Sequence, residues 1–321
     1  MHTDAEIVAQ AGAVGLVTRR EVLAGTVTVR CEASEQVRAI LVGSQPVGYV
    51  KEPLTTTSAD DGIGRERRAL RCLREVDLGP RLLRDEPDDA LWFGVVRGVD
   101  LAHATGAVPE LAEVCEAWGV AVAALHRLPT SRIGITEAPR PWLLEAQRRA
   151  RLARGVRRGS ARATVMDALD REPSLRAALE QVSARWTERH WMHGELRPHN
   201  VVVESNPPLR VRFLDFGQAG LGDPAWDLAT AVDSITGLAP GWMTPAEPLV
   251  DYFLRGYRRA GGPGTLYPAV QASSALATAW QLADTTDGTS DQLSDGATIG
   301  RWLDRARAFA RRAAMQPRAA A

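Results

Sequence analysis

Apolar positions along residues 21–50 come in three short runs, 27–29, 40–42 and 47–50, parted by glycine and polar turns. Short β-branched runs between turn formers predict a meander of strands. From residue 64 the period changes, and Ala69, Leu70 and Leu73 fall at helical spacing. A single apolar run at 90–96 (ALWFGVV) reads as a buried strand. Over 109–128, Leu111, Val114, Ala117, Trp118, Val120, Ala121 and Leu125 predict a helix buried nearly all round. One further helix is expected over about 162–185. Two apolar runs, 201–203 and 211–214, flank a Pro-containing turn at 205–209 and predict a hairpin. The chain over 228–315 is helical in pattern and broken at 261–264. A small β-rich start followed by a larger helical remainder predicts an α+β fold.

A length of 321 residues allows two domains or one large bilobal unit. Net charge is zero, so overall charge points to neither a nucleic-acid nor a membrane partner. No apolar run approaches the eighteen residues of a membrane span, and the start MHTDAEIVAQ lacks a signal peptide's pattern. A cytoplasmic protein is therefore expected. Cys31, Cys72 and Cys115 are widely spaced and odd in number, which suggests reduced thiols rather than disulfides or a zinc site.

The basic residues are lopsided, with 38 arginines against one lysine, Lys51. A compact ammonium and a broad planar guanidinium do different chemistry, so a lone lysine marks a position to explain. Seven arginines, Arg148, Arg149, Arg151, Arg154, Arg157, Arg158 and Arg162, crowd one segment. They read as a solvated helical face or as a docking surface for an acidic peptide or partner protein. Asp284, Asp287, Asp291 and Asp295 lie in a stretch between two helices. That stretch reads as a solvated loop.

Chemistry-bearing residues concentrate in 191–230. His193, Glu195, Arg197 and Asn200 precede the first strand of the expected hairpin, and its second strand delivers Asp215, Phe216 and Gly217. The hairpin would bring Asn200 beside Asp215. An amide and a carboxylate are hard oxygen donors that suit Mg²⁺ held partly by a nucleotide's phosphates. His190, His193 and His199 lack the spacing of a zinc site.

His-Gly-Glu-Leu-Arg-Pro-His-Asn over 193–200, followed by Asp-Phe-Gly over 215–217, resembles the catalytic and metal-binding loops of the protein-kinase-like superfamily. The His-Gly opening and Gly-Asp-Pro-Ala-Trp-Asp-Leu over 222–228 resemble its aminoglycoside phosphotransferase branch. That resemblance implies a bilobal kinase-like fold, with a nucleotide-binding lobe over 1–98 and a catalytic, acceptor-binding lobe over 99–321. It implies an ion pair between Lys51 and Glu66 on the α- and β-phosphates of ATP or GTP, and a linker, Val96, Arg97, Gly98 and Val99, whose backbone would bind adenine. Asn200 and Asp215 would hold Mg²⁺, and Arg197 would offset charge on the transferred group. His193 and Asp227 would support the loop, and His126 matches a structural family position. Glu195 stands where the family carries aspartate as catalytic base, a departure of one methylene. No Gly-x-Gly-x-x-Gly run covers the phosphates, and neither Gly25-Thr26 nor the turn at Ala33-Ser34 is assigned that role.

The implied activity is transfer of the γ-phosphoryl group of ATP or GTP to a hydroxyl of a small molecule, antibiotic-like or metabolite-like. By the same resemblance, the stretch with Asp284, Asp287, Asp291 and Asp295 borders the acceptor cleft and would offer an acidic wall to a cationic acceptor. Two alternatives stand beside that activity. One is a kinase acting on Ser or Thr of a ribosomal natural-product precursor peptide alongside a partner lyase. The other is a weakened pseudokinase that serves as a nucleotide- or peptide-binding scaffold.

Overall fold

The structure is a computed structural model, described here for residues 2–32, 36–53, 62–84, 90–103, 111–131, 137–204, 208–238, 246–288 and 296–316. Two short helices, α1 (Asp4–Ala13) and α2 (Arg19–Leu23), open the chain, each started by a Thr/Glu capping box at Thr3–Glu6 and Thr18–Glu21. The meander follows as β1 (Val27–Cys31), β2 (Val37–Val42) and β3 (Gln45–Lys51). With β4 (Leu91–Phe93) these strands make one antiparallel sheet in sequential order. Ile40, Val50 and Trp92 on the sheet pack on Ile7 and Ala11 of α1, which gives this region its own core. Between β3 and β4 lies α3 (Gly62–Leu73), whose Ala69, Leu70 and Leu73 face the helical remainder of the molecule.

The apolar run 90–96 pairs only through Phe93. Gly94 donates its N–H to the Arg81 carbonyl at 2.8 Å and not to the sheet, so the strand ends three residues early. Beyond it, β5 (Val99–Asp100), β7 (Val201–Glu204) and β8 (Arg210–Phe213) form a three-stranded sheet, and β6 (His190–Met192) pairs with β9 (Gly220–Gly222).

The larger part is helical: α4 (Leu111–His126), α5 (Ala146–Gly155), α6 (Ala161–Arg171), α7 (Pro173–Arg185), α8 (Pro224–Leu238), α9 (Ala246–Arg259), α10 (Pro268–Gly288) and α11 (Gly296–Met315). The fold is α+β, a small antiparallel sheet region ahead of a larger helical part. One helix expected over 162–185 is two, because Pro173 begins α7 and holds Glu172 extended (φ −113°, ψ 97°). The stretch around Asp284 and Asp287 is not a loop. α10 runs through it, and Asp287 accepts the N–H groups of Ala161 and Arg162 at 2.9 and 3.1 Å, capping α6 from outside. Asp291 and Asp295 lie outside the described residues. α4 and α9 cross backbone to backbone, since a Cβ on Gly119 would stand 2.0 Å from the Phe253 carbonyl and one on Gly256 2.1 Å from that of Glu116. Among the described residues no helix is long and apolar enough to cross a membrane. Cys31, Cys72 and Cys115 are free thiols, the last two buried.

Candidate active site

Lys51 is the last residue of β3 and reaches two carboxylates at once: Glu66 Oε2 at 2.8 Å and Asp215 Oδ1 at 2.7 Å. Glu66 is only 2% exposed, and its Oε1 accepts the Phe216 N–H at 3.2 Å. One helix carboxylate thus ties the N-terminal sheet to the loop that follows β8. Burial works against the Lys51 charge, but Glu66 and Asp215 outweigh it and raise the pKa. Burial also pushes Asp215 upward, yet Lys51 holds it below the usual carboxylate range. For Glu66 burial wins over Lys51 and the shift is upward. Asp215 adopts a left-handed backbone (φ 57°, ψ 73°), rare for a non-glycine residue and frequent at functional loops.

The 193–200 loop is fastened at nearly every residue. The His193 and Gly194 N–H groups donate to the two carboxylate oxygens of Asp227 at 2.6 and 2.9 Å. Buried His193 donates through Nε2 to the Leu214 carbonyl at 2.9 Å, which leaves Nδ1 to accept the Glu195 N–H at 3.2 Å. Asn200 Nδ2 donates to the Glu195 carbonyl at 3.1 Å, and Leu214 N–H donates to the Asn200 carbonyl at 2.9 Å. Asn200 and Asp215 are therefore held at the adjoining ends of the hairpin. Gly194 sits at φ +85° with its α-carbon against the Gln218 carbonyl, where a Cβ would come within 2.5 Å.

Behind the loop runs a buried relay that local sequence patterns did not reveal in full. His126 Nε2 meets Asp227 Oδ2 at 3.1 Å and His126 Nδ1 meets the Tyr257 hydroxyl at 2.8 Å, while that hydroxyl accepts the Gly264 N–H at 2.7 Å. His126 carried a family signal in the sequence. Tyr257 carried none, because an aromatic in an amphipathic helix reads as core.

Glu195 and Arg197 look onto a cavity of about 1190 Å³ bounded by α8, α10, α11 and the residues around Trp142. Glu195 Oε1 and Arg197 Nε stand 3.1 Å apart. Burial lowers the Arg197 pKa against the pull of Glu195 and Asp233. Asp233, also on the cavity wall, is pushed up to about 6 by burial, with Arg305 opposing. His199 is shifted downward, first by burial.

Of the four linker residues, Val99 pairs with Val203, and Gly98 (φ +131°) packs so close that a Cβ would lie 2.5 Å from the Val203 carbonyl. Val96 and Arg97 lie outside any regular element. Ala33 and Ser34 lie outside the described residues, and Gly25 ends the turn before β1. No group of three His, Cys, Asp or Glu among the described residues could hold a metal by itself.

The sequence pattern of APH, described as "Phosphotransferase enzyme family", matches residues 47–268, more than half of the chain. No curated protein matches the chain in sequence. Solved structures share its fold at low identity. A choline kinase from Streptococcus pneumoniae is 14% identical over 96% of this chain and 98% of its own, with a TM-score of 0.62. A choline kinase from Cryptosporidium parvum is 12% identical over 97% and 98%, with a TM-score of 0.64. An aminoglycoside phosphotransferase solved with AMP-PNP and hygromycin B is 17% identical over 90% and 94%, with a TM-score of 0.59. By family match and by fold, the chain is a member of the APH phosphotransferase enzyme family, with a protein-kinase-like architecture.

Proposed function

We propose that this protein transfers the γ-phosphoryl group of ATP or GTP to a hydroxyl of a small molecule bound in the cavity beside Glu195. The observation that carries this is Lys51 lying within 2.8 Å of both Glu66 and Asp215, next to the fastened 193–200 loop. Such an arrangement positions a cation for phosphate oxygens and a carboxylate for a metal, and positioning supplies most of the catalysis in phosphoryl transfer. Residues 1–98 would bind nucleotide, with the backbone of Val96, Arg97, Gly98 and Val99 toward the adenine. Residues 99–321 would carry the catalytic loop and the acceptor.

The donor set fits Mg²⁺. Asn200 uses its amide nitrogen on the Glu195 carbonyl and keeps its amide oxygen for another partner, while Asp215 engages Lys51 through one oxygen only. Two hard oxygen donors suit a cation that takes its remaining ligands from phosphates and water. When bound, the ion would neutralise charge between the β- and γ-phosphates. The residues do the rest. Lys51, anchored by Glu66, holds phosphate oxygens. Arg197 offsets charge on the moving group, which breaks its bond to the β-phosphate oxygen as the acceptor oxygen bonds to phosphorus. Glu195 takes the hydroxyl's proton. Asp227 and His193 keep the loop in place without touching substrate. Burial pushes the Cys115 thiol up to about 12, and the three free thiols suit a reducing cytoplasm.

A peptide-docking role for the arginine-rich segment draws no support from Arg162, which is engaged by Asp284 at 2.8 Å and Asp287 at 3.1 Å. The scaffold reading is favoured by one observation, the longer Glu195 side chain turned onto Arg197.

A thermal-shift titration with ATP and GTP, with and without Mg²⁺, tests the proposal on wild type and Asp215→Ala. A nucleotide at a hundredfold excess over its Kd stabilises by about 2.7 kcal/mol, a readily measured rise in Tm. The expected result is a Mg²⁺-dependent rise in wild type that Asp215→Ala loses. No rise at millimolar nucleotide would sink the proposal.

A further inference from the structure

The acceptor cavity carries an excess of positive charge. Among the described residues five arginines line it, Arg140, Arg148, Arg197, Arg301 and Arg305, against two carboxylates, Glu195 and Asp233. Both carboxylates are already engaged by cavity arginines. Glu195 stands 3.1 Å from Arg197, and Asp233, 3% exposed, lies 3.1 Å from Arg305 Nε. Arg140 and Arg148 are answered from outside the lining, by Glu188 at 3.1 Å and Glu145 at 3.2 Å. Arg301 has no acidic partner among the described residues, and its one hydrogen bond goes to the Thr298 hydroxyl at 2.9 Å. It stands one turn before Arg305 on α11, so the two guanidinium groups address the same region of the cavity. Trp302 lies between them in sequence, with the Arg305 guanidinium 5.7 Å from its ring centre.

Two of the four acids offered as a wall for a cationic acceptor face elsewhere, because Asp284 and Asp287 hold Arg162 and the start of α6, and Asp291 and Asp295 lie outside the described residues. Among the described residues, a cationic acceptor would enter a site whose carboxylates each already face an arginine and whose one charge without a charged partner is positive, Arg301. An anion would meet a bidentate fork suited to carboxylate or phosphate. The cavity volume, about 1190 Å³, exceeds the roughly 300–1,000 Å³ usual for small-molecule sites, so there is room for a ring system as well as a charged group.

We infer that the acceptor is an anionic hydroxyl compound, its carboxylate or phosphate held by Arg301 and Arg305, a ring face against Trp302, and its hydroxyl toward Glu195. This rests on the phosphotransferase reading for the hydroxyl's role, but the charge preference of the cavity can be measured apart from it. The probes are hydroxynaphthalenes that carry a carboxylate, a phosphate, an ammonium group or no charge, titrated by calorimetry into the full chain with Mg²⁺ and AMP-PNP. The carboxylate or phosphate probe should bind at least tenfold more tightly than the neutral one and the ammonium probe more weakly. Which anion binds better tells the two sources apart.

Arg301→Glu should weaken the anionic probe at least tenfold. Arg311→Glu, the same charge change on the same helix outside the cavity lining, should leave it within twofold. Arg301 is exposed, so its replacement spares the core, and circular dichroism of both variants confirms the fold. Tightest binding by the ammonium probe, equal binding or no binding by all four, or indifference to Arg301→Glu, would each overturn the inference. A lost Mg-nucleotide stabilisation in the wild type alongside selective anion binding would instead overturn the phosphotransferase reading and leave the cavity's preference standing.

Discussion

Glu195 is longer by one methylene than the aspartate its loop pattern leads one to expect, which moves a carboxylate by about 1–1.5 Å. In the structure that extra length brings it to Arg197 at the cavity edge. A shortened side chain would stand back from Arg197, and if Glu195 is the base of the proposed transfer, misplacement on that scale costs roughly a hundredfold in rate. Glu195→Asp is expected to lower kcat by about 10- to 100-fold with nucleotide KM unchanged, read by ADP release. A gain in kcat would mark the natural site as detuned and favour the scaffold reading. The sequence supplied the residue types here because a loop motif is local. It could not supply Tyr257, which reaches the loop through His126 and Asp227, since a hydrogen bond between α4 and α9 leaves no periodic trace.

Among the elements, the α4–α9 crossing decides how firmly that relay is held. Gly119 and Gly256 let the two backbones touch, and on α9 Phe253 and Tyr257 flank the contact. Gly119→Ala must drive the helices apart, so an overpacking loss of about 2–3 kcal/mol is expected in urea denaturation, together with a weaker Mg-nucleotide stabilisation. Gly300→Ala is the matched control. A Cβ there meets nothing within 4 Å in α11, and the change should stabilise by about 0.5–1 kcal/mol. Equal effects of the two substitutions would contradict the close crossing. Helical periodicity located α4 and read the region of α9 as helical without giving its ends, and it mistook two features beside them. Pro173 splits an apolar pattern that otherwise looks continuous, and α10 continues through an Asp- and Thr-rich stretch whose composition suggests a loop. In the second case tertiary capping of α6 by Asp287 overrides local propensity.

Across the whole molecule, the N-terminal sheet region meets the helical part through Lys51, Glu66 and the loop after β8. The chain has one ε-amine, at Lys51, with its side chain 12% exposed. An acylating ATP derivative should therefore modify Lys51 alone among side-chain amines, found by peptide mass spectrometry, and Mg-ATP should suppress the reaction at least fivefold. Labelling that ignores Mg-ATP would place the nucleotide elsewhere. By itself the sequence determined the α+β class, the strand meander ahead of a helical remainder and the short loops that carry the chemistry, because periodicity and loop motifs act within a few residues. Beyond the Lys51–Glu66 pair that the loop resemblance implied, only the tertiary structure decided which charges answer one another. Lys51 closes on Asp215 across 164 positions and Arg162 on Asp287 across 125, and that second closure turns Asp287 away from the cavity beside Glu195. Pairings of this kind depend on packed helices and strands bringing distant side chains within about 3 Å, which no local pattern encodes.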